Sequence, residues 1–219
     1  EVIGRDDEDW IECRSLVDGY EGFVPAGEMD HEMTAPTHKV SALRTFAFTE
    51  ADFKSPPARA LSFMSPVSIF MEEDGYGLLM QGGWVPMQHL SPIDQTVQDI
   101  VATAKRFLGI PYLWGGRTSI GLDCSALVQL SLLHAGVACA RDTKDQIGTV
   151  GEPIEFGDTI AYASLQAGDL VFFEGHVGIM VDDKNIINAT SRHMSVVIED
   201  LEAVSEAYGG ILAVRRVAF

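Results

Sequence analysis

Apolar and polar positions alternate over short stretches in residues 1–90, broken by Gly and Pro, with no sustained helical period. That is the pattern of small barrels built from short strands. Gly75-Tyr-Gly-Leu-Leu-Met-Gln81 alternates as a strand with a turn on each side, and Val40–Thr49 and Ala60–Phe70 read as further strands of the same unit. Two pieces repeat: Asp18-Gly-Tyr-Glu-Gly-Phe-Val-Pro25 and Gly82-Gly-Trp-Val-Pro86 both close on Gly, an aromatic, Val and Pro. The expectation is two related β units, over 1–30 and 31–91, the first represented by its C-terminal half.

The rhythm changes at Ser91-Pro92. Val97, Ile100, Val101, Ala104, Phe107 and Leu108 recur at helical spacing, so 93–108 is expected as an amphipathic helix ended by Gly109, with Pro92 and Asp94 suited to its start. A second helix is expected from Cys124 to Ala135, stopped by Gly136. Strand patterns follow over 169–173, 176–181, 185–189, 194–198 and 211–217, with turns at Glu174-Gly175 and Asp182-Asp183. Helices first and strands later predict an α+β domain with an antiparallel sheet over 92–219.

Composition narrows the function. Of the 219 residues, 47% are apolar and 21% charged, a globular balance. The net charge of −17 is spread along the chain, and it repels nucleic acid and anionic lipid heads. No apolar run reaches the length of a membrane span. Neither nucleic-acid binding nor membrane insertion is expected. Three cysteines, Cys13, Cys124 and Cys139, are too few and too odd for a disulfide framework, yet they permit one reactive thiol. No His-Glu-x-x-His or Cys-x-x-Cys occurs, so neither metal nor other cofactor is expected. The start shows no initiator Met and no signal peptide, which leaves a removed leader open.

Cys124, in Gly121-Leu-Asp-Cys-Ser-Ala-Leu-Val-Gln129, falls at the predicted start of a helix. Unpaired N–H groups and the helix dipole favour a thiolate there. Cys13, in a strand-like run, and Cys139, near a helix end, read as small hydrophobes. A thiolate needs a base that also protonates the leaving group, and histidine serves both roles near neutral pH. Of six histidines, His31, His38 and His89 lie in the β units or linker, and His134 is nearly three helical turns from Cys124. His176 opens a strand straight after a Gly turn, where a side chain can face a cleft, and is preferred on position over His193.

Five blocks, in order, then carry a resemblance: Phe107-Leu-Gly-Ile-Pro-Tyr-Leu-Trp-Gly-Gly116, Leu122–Gln129, Arg141-Asp-Thr-Lys-Asp-Gln146, Leu165–Phe173 and Gly175-His-Val-Gly-Ile179. They resemble the NlpC-type peptidases of bacterial cell-wall metabolism, and the β-unit endings resemble the bacterial SH3-like module. The resemblance implies a circularly permuted papain-like core, with Cys124 as nucleophile, His176 as proton shuttle, and the Cys124 N–H and Tyr112 hydroxyl as oxyanion donors. The family usually carries His at the third catalytic position; this chain departs from that with Asn188, whose amide oxygen can also orient an imidazole. Plain alternatives stand beside these roles: Tyr112 as a packed aromatic, Asn188 as a solvated strand residue, the β units as packing modules.

The family acts on murein stem peptides, and a branch with two N-terminal SH3-like modules is most similar to this chain. The implied substrate is a murein-derived tri- or tetrapeptide with a free N-terminal L-Ala, cut between γ-D-Glu and the diamino acid; peptide recycling points to the cytoplasm, with periplasm or secretion as the alternatives. Asp123, Ser125, Asp142, Thr143 and Tyr20 are expected at its amine end and Trp114 at the cleft wall. A buried ammonium needs a carboxylate and several acceptors. Asp123 serves equally well as a helix N-terminal carboxylate, Tyr20 as module core, and Arg141 as a partner for a substrate carboxylate or for Asp142. The rival functions are an amidase or acyltransferase on the same core and a catalytically weak murein-binding protein.

Overall fold

The computed structural model describes residues 1–6, 8–29, 34–154 and 165–218. Val2–Arg5 (β1), Trp10–Arg14 (β2) and Glu21–Pro25 (β3) form an antiparallel meander in that order. His31 and the junction expected between residues 30 and 31 lie outside the described residues.

The second unit comprises His38–Val40 (β4), Arg44–Phe48 (β5), Pro57–Ser62 (β6), Pro66–Val67 (β7), Ile69–Glu73 (β8), Tyr76–Leu79 (β9), Trp84–Pro86 (β10) and Leu90–Pro92 (β11). They make a five-stranded sheet, β6-β5-β10-β9-β8, and a three-stranded one, β11-β4-β7. Val40, Ala47, Val67, Leu79, Val85 and Leu90 from both sheets close one apolar core. The runs expected as the single strands 40–49 and 60–70 are each divided, because the chain leaves one sheet for the other within them.

The expected helix over 93–108 is shorter. Pro92 ends β11 opposite His38, and the helix runs only over Ile100–Lys105 (α1). Its start is set by Asp99, whose carboxylate accepts the Ala102 N–H at 2.8 Å. Strand pairing claims Ser91 and Pro92, so helical periodicity at 97 does not extend the helix backwards.

Arg117–Thr118 (β12) and Gly121–Leu122 (β13) form a hairpin leading into Cys124–His134 (α2), close to the expected span. Thr143–Thr149 (α3) and Leu201–Ala207 (α4) are short helices that the sequence pattern did not single out. Glu152–Pro153 (β14), Leu170–Phe173 (β15), His176–Met180 (β16), Asn185–Thr190 (β17), Ser195–Asp200 (β18) and Ala213–Arg216 (β19) form one antiparallel sheet, ordered β14-β19-β15-β16-β17-β18. Strand alternation divides its residues between two cores. Leu170, Phe172, Val177, Ile179, Ile187 and Ala189 pack with Leu127, Leu130 and Phe107 of the helical layer, and Val171, Phe173, Met180 and Ile186 pack with Leu201 and Val204 of α4. This sheet-rich, mixed architecture fits the expected α+β class.

Candidate active site

Cys124 takes the first position of α2 because Asp123 caps it: the Asp123 carboxylate accepts the Ala126 N–H at 2.9 Å. The sulfur lies 3.9 Å from the Thr143 hydroxyl, and the Val177 N–H, one residue beyond His176 on β16, acts to lower its pKa. The end of one helix, the start of a central strand and the start of α3 therefore converge on the thiol.

The His176 imidazole is buried. His176 Nε2 stands 3.0 Å from Asn188 Oδ1 on the adjacent strand. Its ring stacks on Tyr208 at 4.1 Å between centroids and 5° between planes, and Tyr208 is itself fixed by a 2.9 Å hydrogen bond between its hydroxyl and that of Thr190. Burial pushes the imidazole down to about 4, so it is neutral and able to accept a proton near neutral pH.

The thiol differs from the sequence expectation of a ready thiolate. Burial, and next the Asp123 carboxylate, push Cys124 up; the Val177 N–H, the Thr143 hydroxyl and the Ser125 N–H pull it back by less. Helix-terminal donors act on a sulfur that the fold has also taken out of water, and desolvation is the larger effect. Both directions favour a neutral thiol and a neutral imidazole over the ion pair.

In front of the thiol lies a cavity of about 430 Å³. Tyr20, Tyr112, Trp114, Asp123, Cys124, Ser125, Asp142 and Thr143 all line it, joined by Gly115, Arg141, Lys144 and Gly175. Burial raises the Tyr112 phenol, with Cys124 and Asp123 adding to the effect, which keeps it a donor. Trp114 is 86% exposed, so its ring presents an open wall to solvent.

The structure resolves what Arg141 does. Its guanidinium grips Asp123 with two parallel bonds, Nη1 to Oδ1 at 2.9 Å and Nη2 to Oδ2 at 2.7 Å. Asp123 also accepts from the Ser125 hydroxyl and the Gly115 N–H. Its charge is answered within the protein, whereas Asp142, before α3, makes no side-chain cap bond. Tyr20 arrives from the first unit because Asp18, two residues before it, is anchored to Gln129 of α2 at 2.9 Å and Arg117 at 3.2 Å.

The other described histidines each have their own partner. His134 bonds the Thr103 hydroxyl on α1, His38 that of Thr37, His89 that of Thr45, and His193 the Glu199 carboxylate. Sequence reasoning missed Tyr208, Lys144 and Glu199. Tyr208 follows a helix with no strong period, while Glu199 shares the alternation of Val197, which pairs with Asn188. Among the described residues no group of three His, Cys, Asp or Glu could hold a metal ion. No helix among them is long and apolar enough to cross a membrane.

Residues 109–211 match the model of the NlpC/P60 family, and this part of the chain is an NlpC/P60 domain. Over 90% of its length the chain is 29% identical to the gamma-D-glutamyl-L-lysine dipeptidyl-peptidase of Bacillus subtilis (strain 168), of which it spans 69%. Over 53% of its length it is 32% identical to dipeptidyl-peptidase 6 of Lysinibacillus sphaericus, of which it spans only 41%. The fold is shared with the crystal structure of an NlpC/P60 family protein from Bacillus cereus ATCC 10987, at a TM-score of 0.81 and 22% identity, covering 99% of this chain and 78% of that one.

Proposed function

We propose that the chain is a cysteine endopeptidase that hydrolyses the γ-D-Glu–diamino acid bond of murein tri- or tetrapeptides carrying a free N-terminal L-Ala. The observation that carries the reading is one cavity, with Cys124 at the head of α2, the Thr143 hydroxyl 3.9 Å from its sulfur, and Tyr20 of the first β unit on the same wall. The likeness to the gamma-D-glutamyl-L-lysine dipeptidyl-peptidase extends over the β units as well as the NlpC/P60 domain, which supports the same substrate class.

The chemistry follows from the neutral pair. Cys124 Sγ attacks the γ-carbonyl carbon of D-Glu while its proton passes to His176 Nδ1, the nitrogen left free by the Asn188 bond. The negative oxygen is met by the Cys124 N–H, one of the unpaired donors of a helix start, and by the Tyr112 hydroxyl. The imidazolium then protonates the departing amine, leaving a thioester. Water, deprotonated by the same imidazole, releases L-Ala-D-Glu and regenerates the thiol.

At the amine end the two carboxylates divide the work. Asp123, held by Arg141, aligns Ser125 and the helix start; Asp142, without a cap bond, supplies the charge for the L-Ala ammonium, with Thr143 and the Tyr20 hydroxyl as further acceptors. The β units act as SH3-like modules closing that end, as domains 1–30 and 31–91 before a catalytic domain at 92–219, with the cytoplasm as the site of peptide recycling.

Turnover of L-Ala-γ-D-Glu-diaminopimelate and of its lysine counterpart tests the reading, followed by release of the dipeptide. Wild type is expected to cleave at least one, Cys124→Ala neither, and the N-acetylated peptide is expected to react poorly. Efficient cleavage of the acetylated peptide would remove the ammonium site; cleavage by Cys124→Ala would remove the thiol mechanism.

A further inference from the structure

We propose that Glu199 is a positioning residue that decides which end of the Asn188 amide faces His176. The inference rests on the reading of His176 as the base.

Asn188 is wholly buried, and its two ends have different partners. Oδ1 faces His176 Nε2 at 3.0 Å, and Nδ2 faces Glu199 Oε2 at 3.1 Å. The two ends of an amide are nearly equal in size, so packing alone does not choose between them. A carboxylate does choose: ionised, it only accepts, and so it takes the NH₂ end. The carbonyl end is then committed to His176, Nε2 must carry the hydrogen, and Nδ1 keeps its lone pair for the thiol proton. With the amide reversed, Nε2 would have to accept, the hydrogen of the neutral ring would sit on Nδ1, and the base would be blocked. Tyr208, stacked on the imidazole, fixes the plane of the ring but does not distinguish its nitrogens.

Glu199 is built to remain an acceptor. Its side chain is only 12% exposed, and Oε1 receives Arg192 Nη2 at 3.2 Å and His193 Nε2 at 3.0 Å. Register places it with the others, since Asn188 pairs with Val197 and Glu199 lies two residues on, along the same face of the sheet. A histidine at the third position would face the same requirement, because one ring nitrogen must accept. With Asn188 the requirement falls on an amide, and the carboxylate meets it.

The test is an isosteric exchange, read by kinetics and by the ¹⁵N signals of His176. In Glu199→Gln the neighbour can donate as well as accept, so kcat is expected to fall by about 10–100-fold with KM little changed, and an Nδ1–H tautomer is expected beside the Nε2–H form. Asn188→Asp sets two carboxylates against each other and is also expected to be slow. In the exchange N188D/E199Q, the carboxylate now beside His176 can only accept, and the amide behind it donates to it. Activity is expected to recover well above either single variant, with the Nε2–H tautomer alone.

A Glu199→Gln enzyme at full rate with an unchanged tautomer would overturn the proposal, as would an exchange whose loss is the product of the two single losses. Wild type without turnover, or Cys124→Ala with it, defeats the hydrolase reading instead. The tautomer signals still judge Glu199 in that case, and a single-variant measurement suffices if Asn188→Asp does not fold.

Discussion

The two β regions begin from the same local sequence and end with different means of attachment. Glu21–Pro25 and Trp84–Pro86 each finish a strand on Val-Pro and pass into a 3₁₀ turn, with the proline at φ −56° in both. Yet Val85 is fully buried in a core supplied by both sheets of its unit, while no apolar residue among the described residues 1–29 is buried. The second unit meets the end of α1 through packing: Phe63 lies edge-on to Phe107 at 5.6 Å, and the Arg106 guanidinium sits 4.8 Å over the Phe63 ring. The first unit meets it through polar bonds of Asp18, whose side chain has no exposed area against Arg117 and Gln129. A repeated motif specifies a local turn. Whether the unit becomes a structural support or an adjustable wall of the site depends on what its neighbours bury.

The difference in attachment is greatest at Phe63. It is 3% exposed, and Phe63→Ala is expected to cost about 3–5 kcal/mol of stability, read from denaturant unfolding. Tyr20→Ala, at a side chain of a residue 51% exposed, is expected to stay within about 0.5 kcal/mol in the same measurement. Equal losses would mean that the first unit is a packed support as well.

A smaller effect is expected at Asp18. Asp18→Ala frees the segment bearing Tyr20, so KM for the free-amine peptide is expected to rise about tenfold, or about 1.4 kcal/mol, with kcat nearly unchanged. The preference over the acetylated peptide should shrink in step. A fall in kcat with KM unmoved would show that Asp18 acts on the catalytic groups and not on the Tyr20 wall.

The joint of the second unit also carries a pH signature. Burial pushes His134, edge-on to Phe63 at 4.9 Å, down to about 4, and burial does the same to His176. Both titrate near 6.5 when unfolded, so between those values the unfolded chain takes up protons that the folded chain refuses. Stability present above pH 6.5 is therefore expected to drain as pH falls towards about 4, seen as a falling Tm. His134→Gln is expected to flatten part of that slope; an unchanged slope would remove His134 from the account.

The mildest expected contrast is among the thiols. Cys139, pushed up to about 12 by burial and by Asp18, is expected to alkylate with iodoacetamide far more slowly than Cys124. Because Cys124 is also pushed up, its labelling is expected to accelerate as pH rises through the alkaline range. A rate already at its plateau at neutral pH would mean that the thiolate stands ready after all.

What the chain determined by itself is what depends on neighbours in sequence. Asp123 before Cys124 writes a helix cap, the alternation of 170–173 and 176–180 writes strands with two faces, and Gly175 with φ +64° writes the turn that sets His176 at a strand start. These near-neighbour rules point to the thiol and the imidazole as candidates; the resemblance to NlpC-type peptidases points to Asn188. Tertiary structure decided what requires residues far apart to meet: β-pairing of Ser91 and Pro92 that shortened the first helix, the grip of Arg141 on Asp123, the arrival of Tyr20, the stack of Tyr208 on His176 and the placing of Glu199 behind Asn188. It also decided the protonation of the pair. A helix start favours an anion from sequence alone, but desolvation exists only once the layers have closed over the sulfur, and there it is the stronger influence.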